Sequence, residues 1–517
     1  MQPVDIRSDH LAIVLDILAR HVPEAEVWVF GSRAKWLARD TSDLDLCIRA
    51  AAPIGFAHMG ALREAFEESN LPYKVDVVDW ATTAESFRKI IERDKVVVQE
   101  AKTGRVIPGE WTPTTLAKVL SFSNGKSSPD RADNLPYPVY GSNGIIGFAS
   151  ETNAEPSTIV IGRVGSYCGS LYFSKEKCWV TDNAIRASAI DDNDAKFLLY
   201  LLQTLDLNHW RAGSGQPLLN QTILGSIPTS IPEPDTQRAI AHILGTLDDK
   251  IELNRRMNET LEAIARAMFK SWFVDFDPVR AKMNGEPTVS ICQRLGLTPD
   301  LLALFPDRLV DSELGEIPEG WEVQPLDRVA DYLNGLALQK FPPESETEWL
   351  PVIKIAQLKK CDVIGADRAS RNLKPEYVVS DGDVLFSWSG SLEVDVWCGG
   401  RGALNQHLFK VTSANYPKWF YFYWTKHHLA HFQEIAAGKA VTMGHIQRKH
   451  LTQALCAVPR KPLMDKLDAI MTPLLEKQIG NRKASRTLAM VRDELLPKLL
   501  SGELRVPDAE KTVELMA

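Results

Sequence analysis

The chain has 517 residues, 44% of them hydrophobic and 24% charged, with a formal net charge of −8. Such a composition builds ordinary globular cores over about three to four domains, and the acidic balance excludes wholesale coating of nucleic acid. No apolar run reaches the ~18 residues that a membrane span needs. The seven cysteines stand singly without a CxxC pair, which argues against a disulfide framework or structural zinc and suits a reducing cytoplasm. Asp5, Asp9 and Asp16 interrupt the first twenty residues, which is wrong for a signal peptide.

Residues 1–102 predict a small α/β unit. Leu11 to Arg20 has helical spacing, Val27 to Phe30 is a short apolar strand ending at Gly31-Ser32, and Asp43 to Ile48 and Lys74 to Asp79 alternate as strands. A helix over about 60–68 separates the last two, and 104–108 reads as a linker. Residues 109–234 are rich in strands and glycine turns, with an embedded helix from Ala195 to Thr204.

From Pro234 the texture becomes a long helix over 235–276. Ile240, Leu247, Asn254, Leu261 and Met268 recur in sevens beside a second row of Leu244, Ile251, Asn258, Ala265 and Trp272, which is a coiled-coil seam. A connector with short helical pieces, 277–316, leads to a second globular segment, 317–460. A second long helix, 461–506, follows, with Leu467, Leu474, Asn481, Leu488 and Leu495 in sevens.

The chain states this plan twice. Trp111, Leu116, Val119, Asn124 and Gly125 return as Trp321, Leu326, Val329, Asn334 and Gly335, at an offset of 210. Asn254-Arg255-Arg256 with Thr260-Leu261 returns as Asn481-Arg482-Lys483 with Thr487-Leu488, at an offset of 227. Two copies of a globular-plus-helix unit imply pseudo-twofold symmetry, and one elongated partner could be read twice. An asparagine in an apolar seam costs stability but fixes register.

Trp111 and Trp321 opening each half, Pro232-x-Pro234-x2-Gln237-x2-Ile240, Trp272-Phe273-Val274-Asp275-Phe276, Leu314-Gly315-Glu316-Ile317-Pro318 and Leu499-Leu500-Ser501-Gly502-Glu503-Leu504 resemble the specificity subunit of Type I restriction–modification enzymes. The resemblance covers about residues 109–506. It implies two target-recognition domains that each read half of a split double-stranded DNA site, and two helices pairing antiparallel as the spacer. It also implies partner methylation subunits, two of them, and motor–nuclease subunits. S-adenosylmethionine and ATP are then expected only on those partners, and this chain carries no catalytic site in that part. The fold class expected is α+β multidomain.

Phosphate contacts supply most affinity and base edges supply specificity, so polar and basic residues in the glycine-rich loops are the DNA-contact candidates. In the first half these are Lys126, Tyr140, Ser142, Asn143, Arg163, Ser166, Tyr167 and Gln216. In the second they are Lys340, Asn405, Gln406, His407, Lys439, Thr442 and His445. Each competes with the plainer role of a residue capping its own turn.

Gly31-Ser32-Arg33-Ala34, Asp43-x-Asp45 and the strand residue Asp76 resemble the minimal nucleotidyltransferases of the polymerase-β-like fold. Alternate strand positions send Asp43 and Asp45 from one face, and Asp76 arrives from a neighbouring strand. Three such carboxylates suit Mg²⁺ chemistry on a nucleotide triphosphate, with Asp43 and Asp45 as metal ligands and Asp76 as base or third ligand. Gly31, Ser32 and Arg33 are expected to meet the nucleotide phosphates. Many members of that family carry Gly where this chain has Trp36. Adenylation of a protein partner is the transfer the resemblance implies. Two further readings stand beside the specificity subunit: a nucleotidyl-transferring, antitoxin-like enzyme that uses the rest for targeting, and a tandem adaptor that binds protein only.

Overall fold

The computed structural model describes residues 4–22, 25–39, 42–50, 54, 56–83, 85–99, 111–211, 218–438 and 444–514. It separates into two units, Met1–Glu110 and Trp111–Ala517. The expected linker 104–108 lies outside the described residues.

The first unit is a four-stranded sheet in the order Val75–Asp79, Leu44–Arg49, Glu26–Phe30, Val96–Gln99. Leu44–Arg49 runs antiparallel to Glu26–Phe30 and parallel to Val75–Asp79. Period-two alternation sorts its side chains. Leu44, Leu46 and Ile48 enter a core with Val14, Leu18, Val27 and Leu62, while Cys47 enters a second one with Trp28, Phe30 and Ile91. The second core depends on helix Glu85–Asp94 and strand Val96–Gln99, which the sequence reading did not foresee.

The second unit holds the duplicated plan. In the first head, one antiparallel sheet has the order Leu171–Ser174, Thr158–Gly162, Ala184–Ala189, Leu120–Asn124. In the second head the order is Val394–Val396, Val384–Ser387, Leu408–Thr412, Asp331–Asn334, with the same connectivity. Each head adds a sheet containing one parallel pair, Tyr137–Gly141 with Trp179–Val180 and Leu350–Ile353 with Gly402–Leu404. Each is closed by its own incoming and outgoing strands, Thr112–Thr115 with Pro228–Ile231 and Glu322–Pro325 with Leu455–Val458.

The conserved spacing of the Asn-Gly pairs now has a physical cause. A Cβ on Gly125 would stand 2.0 Å from the Thr181 carbonyl oxygen, and one on Gly335 would stand 2.3 Å from that of Asn405. Only glycine permits either backbone approach.

The long helices span Pro234–Phe273 and Lys461–Leu500, forty residues each and so about 60 Å long. They pack antiparallel. Asp248 meets Arg492, Asn254 meets Ser485, and Asn258 meets Asn481, so one helix is read upward as the other is read downward. The two ends of this rod are apolar. Ile240, Leu244 and Leu247 join Leu495 and Leu499 in the core of the first head. Phe269, Trp272 and Phe273 join Leu463, Leu467 and Met471 in that of the second.

The motifs find their roles here. Gln237 is fully buried, donates to the Pro232 carbonyl and to Asn193 Oδ1, both at 2.9 Å, and accepts from Asp194 N at 3.0 Å. Phe273 packs on Trp321, Trp419 and Phe420 with ring centroids 5.5–5.7 Å apart, which fastens the connector turn to the second head.

Candidate nucleotide-transfer site and nucleic-acid interface

In the first unit the strand pairing brings the expected carboxylates to one end of the sheet. Asp45 lies opposite Phe30 on one neighbour and opposite Asp76 on the other. Gly31 follows Phe30 with φ +75°, and a Cβ there would stand 2.2 Å from Asp45 Oδ2. The carboxylate thus occupies the space a side chain at 31 would fill. Burial, then the nearby negative charges of Asp76 and Asp43, raise the pKa of Asp45 above the ordinary carboxylate value, while Lys74 opposes this. Lys74 Nζ contacts Asp76 Oδ1 at 2.5 Å.

Among the described residues no three His, Cys, Asp or Glu side chains are gathered closely enough to hold an ion. The donor set is nevertheless all carboxylate oxygen with mutual repulsion, which is the chemistry that suits a hard divalent cation.

Arg33 requires a correction. It is 5% exposed, donates to the carbonyls of Asp5 (2.9 Å) and Ser42 (3.0 and 2.6 Å), and lies 3.8 Å over the Tyr73 ring. It braces the segment leading into Asp43 and does not present itself to a nucleotide. Trp36 sits at φ +57° and is 53% exposed. That left-handed conformation explains why glycine suits the position.

In the first head, the loops around Gly162 converge. A Cβ on Gly162 would meet the Tyr167 carbonyl at 2.2 Å, Ser170 Oγ at 2.5 Å and the Ser142 carbonyl at 3.0 Å. Ser170 Oγ donates to both carbonyls, at 2.8 and 2.6 Å. This ties the hairpin turn with Ser142 and exposed Asn143 to the segment with Arg163, Ser166 and Tyr167, of which Ser166 and Tyr167 are exposed. Lys126 is exposed nearby in sequence, bridging to Thr181. Tyr140 is 7% exposed in a core with Val160, Cys178 and Val180, so the structure removes it from the contact candidates. Gln216 lies outside the described residues.

In the second head, Asn405 is likewise removed. It is 3% exposed, and its Oδ1 accepts from His407 N at 3.2 Å, capping its own turn. Gln406 and His407 are half-buried, and Lys340 is exposed at the end of a short 3₁₀ turn. Lys439 and Thr442 lie outside the described residues. A residue missed from sequence organises this place. Trp388 packs against His407 and His445 with centroids 6.0 and 6.3 Å away, and its Nε1 donates to Asn334 Oδ1 at 2.9 Å and to the Gln406 carbonyl at 3.1 Å.

Comparison with known proteins agrees with both parts. Residues 108–263 match the family described as "Type I restriction modification DNA specificity domain", and residues 14–103 match "Polymerase beta, Nucleotidyltransferase". A Type I restriction enzyme MjaIX specificity subunit of Methanocaldococcus jannaschii is 27% identical over 61% of this chain and 70% of its own length. A probable protein adenylyltransferase MntA of Haemophilus influenzae is 53% identical over 19% of this chain and 85% of its own length. The crystal structure of a Type I restriction–modification S subunit from M. genitalium superposes with a TM-score of 0.50 at 14% identity, covering 77% of this chain and 97% of that one, and so shares the fold. The N-terminal domain belongs to the polymerase-β nucleotidyltransferase family, and residues 108–263 match a Type I restriction modification DNA specificity domain within a chain that is similar to specificity subunits over 61% of its length. Among the described residues no helix is long and apolar enough to cross a membrane.

Proposed function

We propose that the second unit recognises a bipartite double-stranded DNA sequence and holds methylation and motor–nuclease subunits along its helical rod. The observation that carries this reading is one head topology built twice, at opposite ends of an antiparallel helix pair. Half-site spacing follows protein symmetry, so a gap in the recognised sequence is a geometric consequence. The loops differ between heads, so the half-sites differ. Sequencing of methylated bases in cells carrying this chain and its methylation partner is expected to reveal one gapped, asymmetric motif. A continuous motif, or none, refutes the reading.

The first unit supports a second function, nucleotidyl transfer to a protein acceptor. Asp43 and Asp45 would hold Mg²⁺, which supplies charge neutralisation for a bound nucleotide triphosphate. Gly31 and Ser32 offer backbone N–H groups to phosphate, and Asp76, once released from Lys74, accepts the proton of the acceptor hydroxyl as that oxygen bonds to the α-phosphorus and pyrophosphate leaves. Labelled ATP is expected to modify protein in a Mg²⁺-dependent manner with the intact chain and not with Asp45→Ala. Equal labelling by both refutes it.

A further inference from the structure

The two heads can be superposed through their backbone hydrogen bonds alone. In the first, Arg163 N donates to the Asn183 carbonyl at 3.0 Å, Leu219 N donates to the Arg163 carbonyl at 3.1 Å, and Val164 bridges Leu218. In the second, Trp388 N donates to the His407 carbonyl at 3.3 Å, Ile446 N donates to the Trp388 carbonyl at 3.0 Å, and Ser389 bridges His445. Arg163 and Trp388 therefore occupy one structural position, at the end of the same central strand.

The two side chains carry opposite chemistry. Arg163 is half-buried, and its Nε is buried with no hydrogen-bond partner. Among the described residues no hydrogen bond or ion pair holds the guanidinium, so its outer Nη groups are left to meet a partner from outside the chain. The guanidinium fork matches O6 and N7 of guanine in the major groove. Trp388 has no donor to give, because Nε1 is already engaged by Asn334 and Gln406. What it offers is a ring edge, braced by His407, whose Nδ1 lies 2.8 Å from Ser389 Oγ. An apolar edge suits the thymine methyl group.

We propose that this shared position is a base-reading position in both heads: Arg163 fixes a guanine in one half-site, and Trp388 makes the apolar contact with thymine at the matching place in the other. The proposal rests on the bipartite-site reading, and the two fail differently. If the wild-type complex methylates no gapped motif, the reading itself falls.

The test is motif mapping of methylated DNA from cells expressing the wild-type complex, Arg163→Ala, Arg163→Gln and Trp388→Ala. Both Arg163 variants are expected to relax one guanine position by roughly ten- to a hundred-fold and to leave the other half-site intact. Trp388→Ala is expected to relax a thymine position in the other half-site only. The untouched half-site serves as the folding control within each variant. A gapped motif that stays the same in soluble Arg163→Gln, whether methylation is unaltered or lowered evenly at all sites, overturns the proposal, because that is the signature of a phosphate anchor. A single substitution that alters both half-sites overturns it as well.

Discussion

Asn481 Nδ2 donates to Asn258 Oδ1 at 2.9 Å across the helix pair. Its counterpart is Asn254 Nδ2 donating to Ser485 Oγ at 3.2 Å. Shifting Asn254 and Asn258 by the repeat offset of 227 gives Asn481 and Ser485, so these are one bond drawn twice about a local dyad. The two asparagines of the repeat do not hydrogen-bond to each other. Each reaches the residue one turn further along the sister helix, and together they bracket the dyad. Any shift of register breaks both bonds at once.

A double-mutant cycle on Asn258→Ala and Asn481→Ala is expected to show a coupling energy of about 0.5–1.5 kcal/mol. The single Asn481→Ala change leaves Asn258 still donating to the Gln478 carbonyl at 3.1 Å, so it loosens the waist without emptying it. Denaturant titration gives the four stabilities. Additive losses would show that this contact specifies nothing.

Trp36→Gly is expected to stabilise the first unit by about 1 kcal/mol, because φ +57° strains any residue with a Cβ and the exposed ring loses little packing. The gain is offset in part by the greater freedom of glycine in the unfolded chain. Thermal melting of the intact chain, followed by a probe in residues 4–99, checks it. A lower melting temperature would mean that the ring has a packing partner.

Arg486 grips Asp381 at 2.7 Å and holds its carboxyl below the usual carboxylate value, the arginine hydrogen bond being the largest cause. A carboxyl with a depressed folded-state value contributes stability above the unfolded value, about 3.9, and loses it as pH falls through the folded one. Arg486→Ala is therefore expected to melt roughly 2–4 °C below wild type at pH 7, with the gap closing as pH drops below about 4. A gap constant from pH 7 to pH 3 would show that Arg486 acts through packing.

The rod sets the span between the heads. One heptad inserted after Leu253 and another after Arg486 would keep both asparagine bonds on one side and the Asp248–Arg492 pair on the other. The rod grows by about 10 Å, and the gap in the methylated motif is expected to lengthen by about three base pairs. An unchanged gap would separate the spacing from the helices.

Much of this was legible in the chain. The duplication, the heptad rows and the glycine beside the paired aspartates were readable because each rests on short-range pattern. What failed depended on distant partners. Arg33 was drawn inward by Tyr73, forty residues away, and by the carbonyls of Asp5 and Ser42. Tyr140 sits beside a glycine turn, but the turn begins only after it, and strand pairing with Trp179–Val180 buries it. Asn405 had the composition of a reader and the geometry of a cap. Trp388 was hidden for a different reason. The offset between heads is 210 at Gly125 and Gly335 but 225 at Arg163 and Trp388, because the second head carries extra residues between its equivalent strands. A fixed-offset comparison slides past the match, and only the hydrogen-bond register restores it.

Each head is entered and left through a single two-stranded ribbon, Thr112–Thr115 with Pro228–Ile231 or Glu322–Pro325 with Leu455–Val458, and the outgoing strand leads into a long helix. Everything between those strands is a cassette with adjacent termini. A genetic crossover within the flanking repeats could exchange one head for another without disturbing the scaffold, so new sequence preferences could arise by shuffling rather than by gradual substitution.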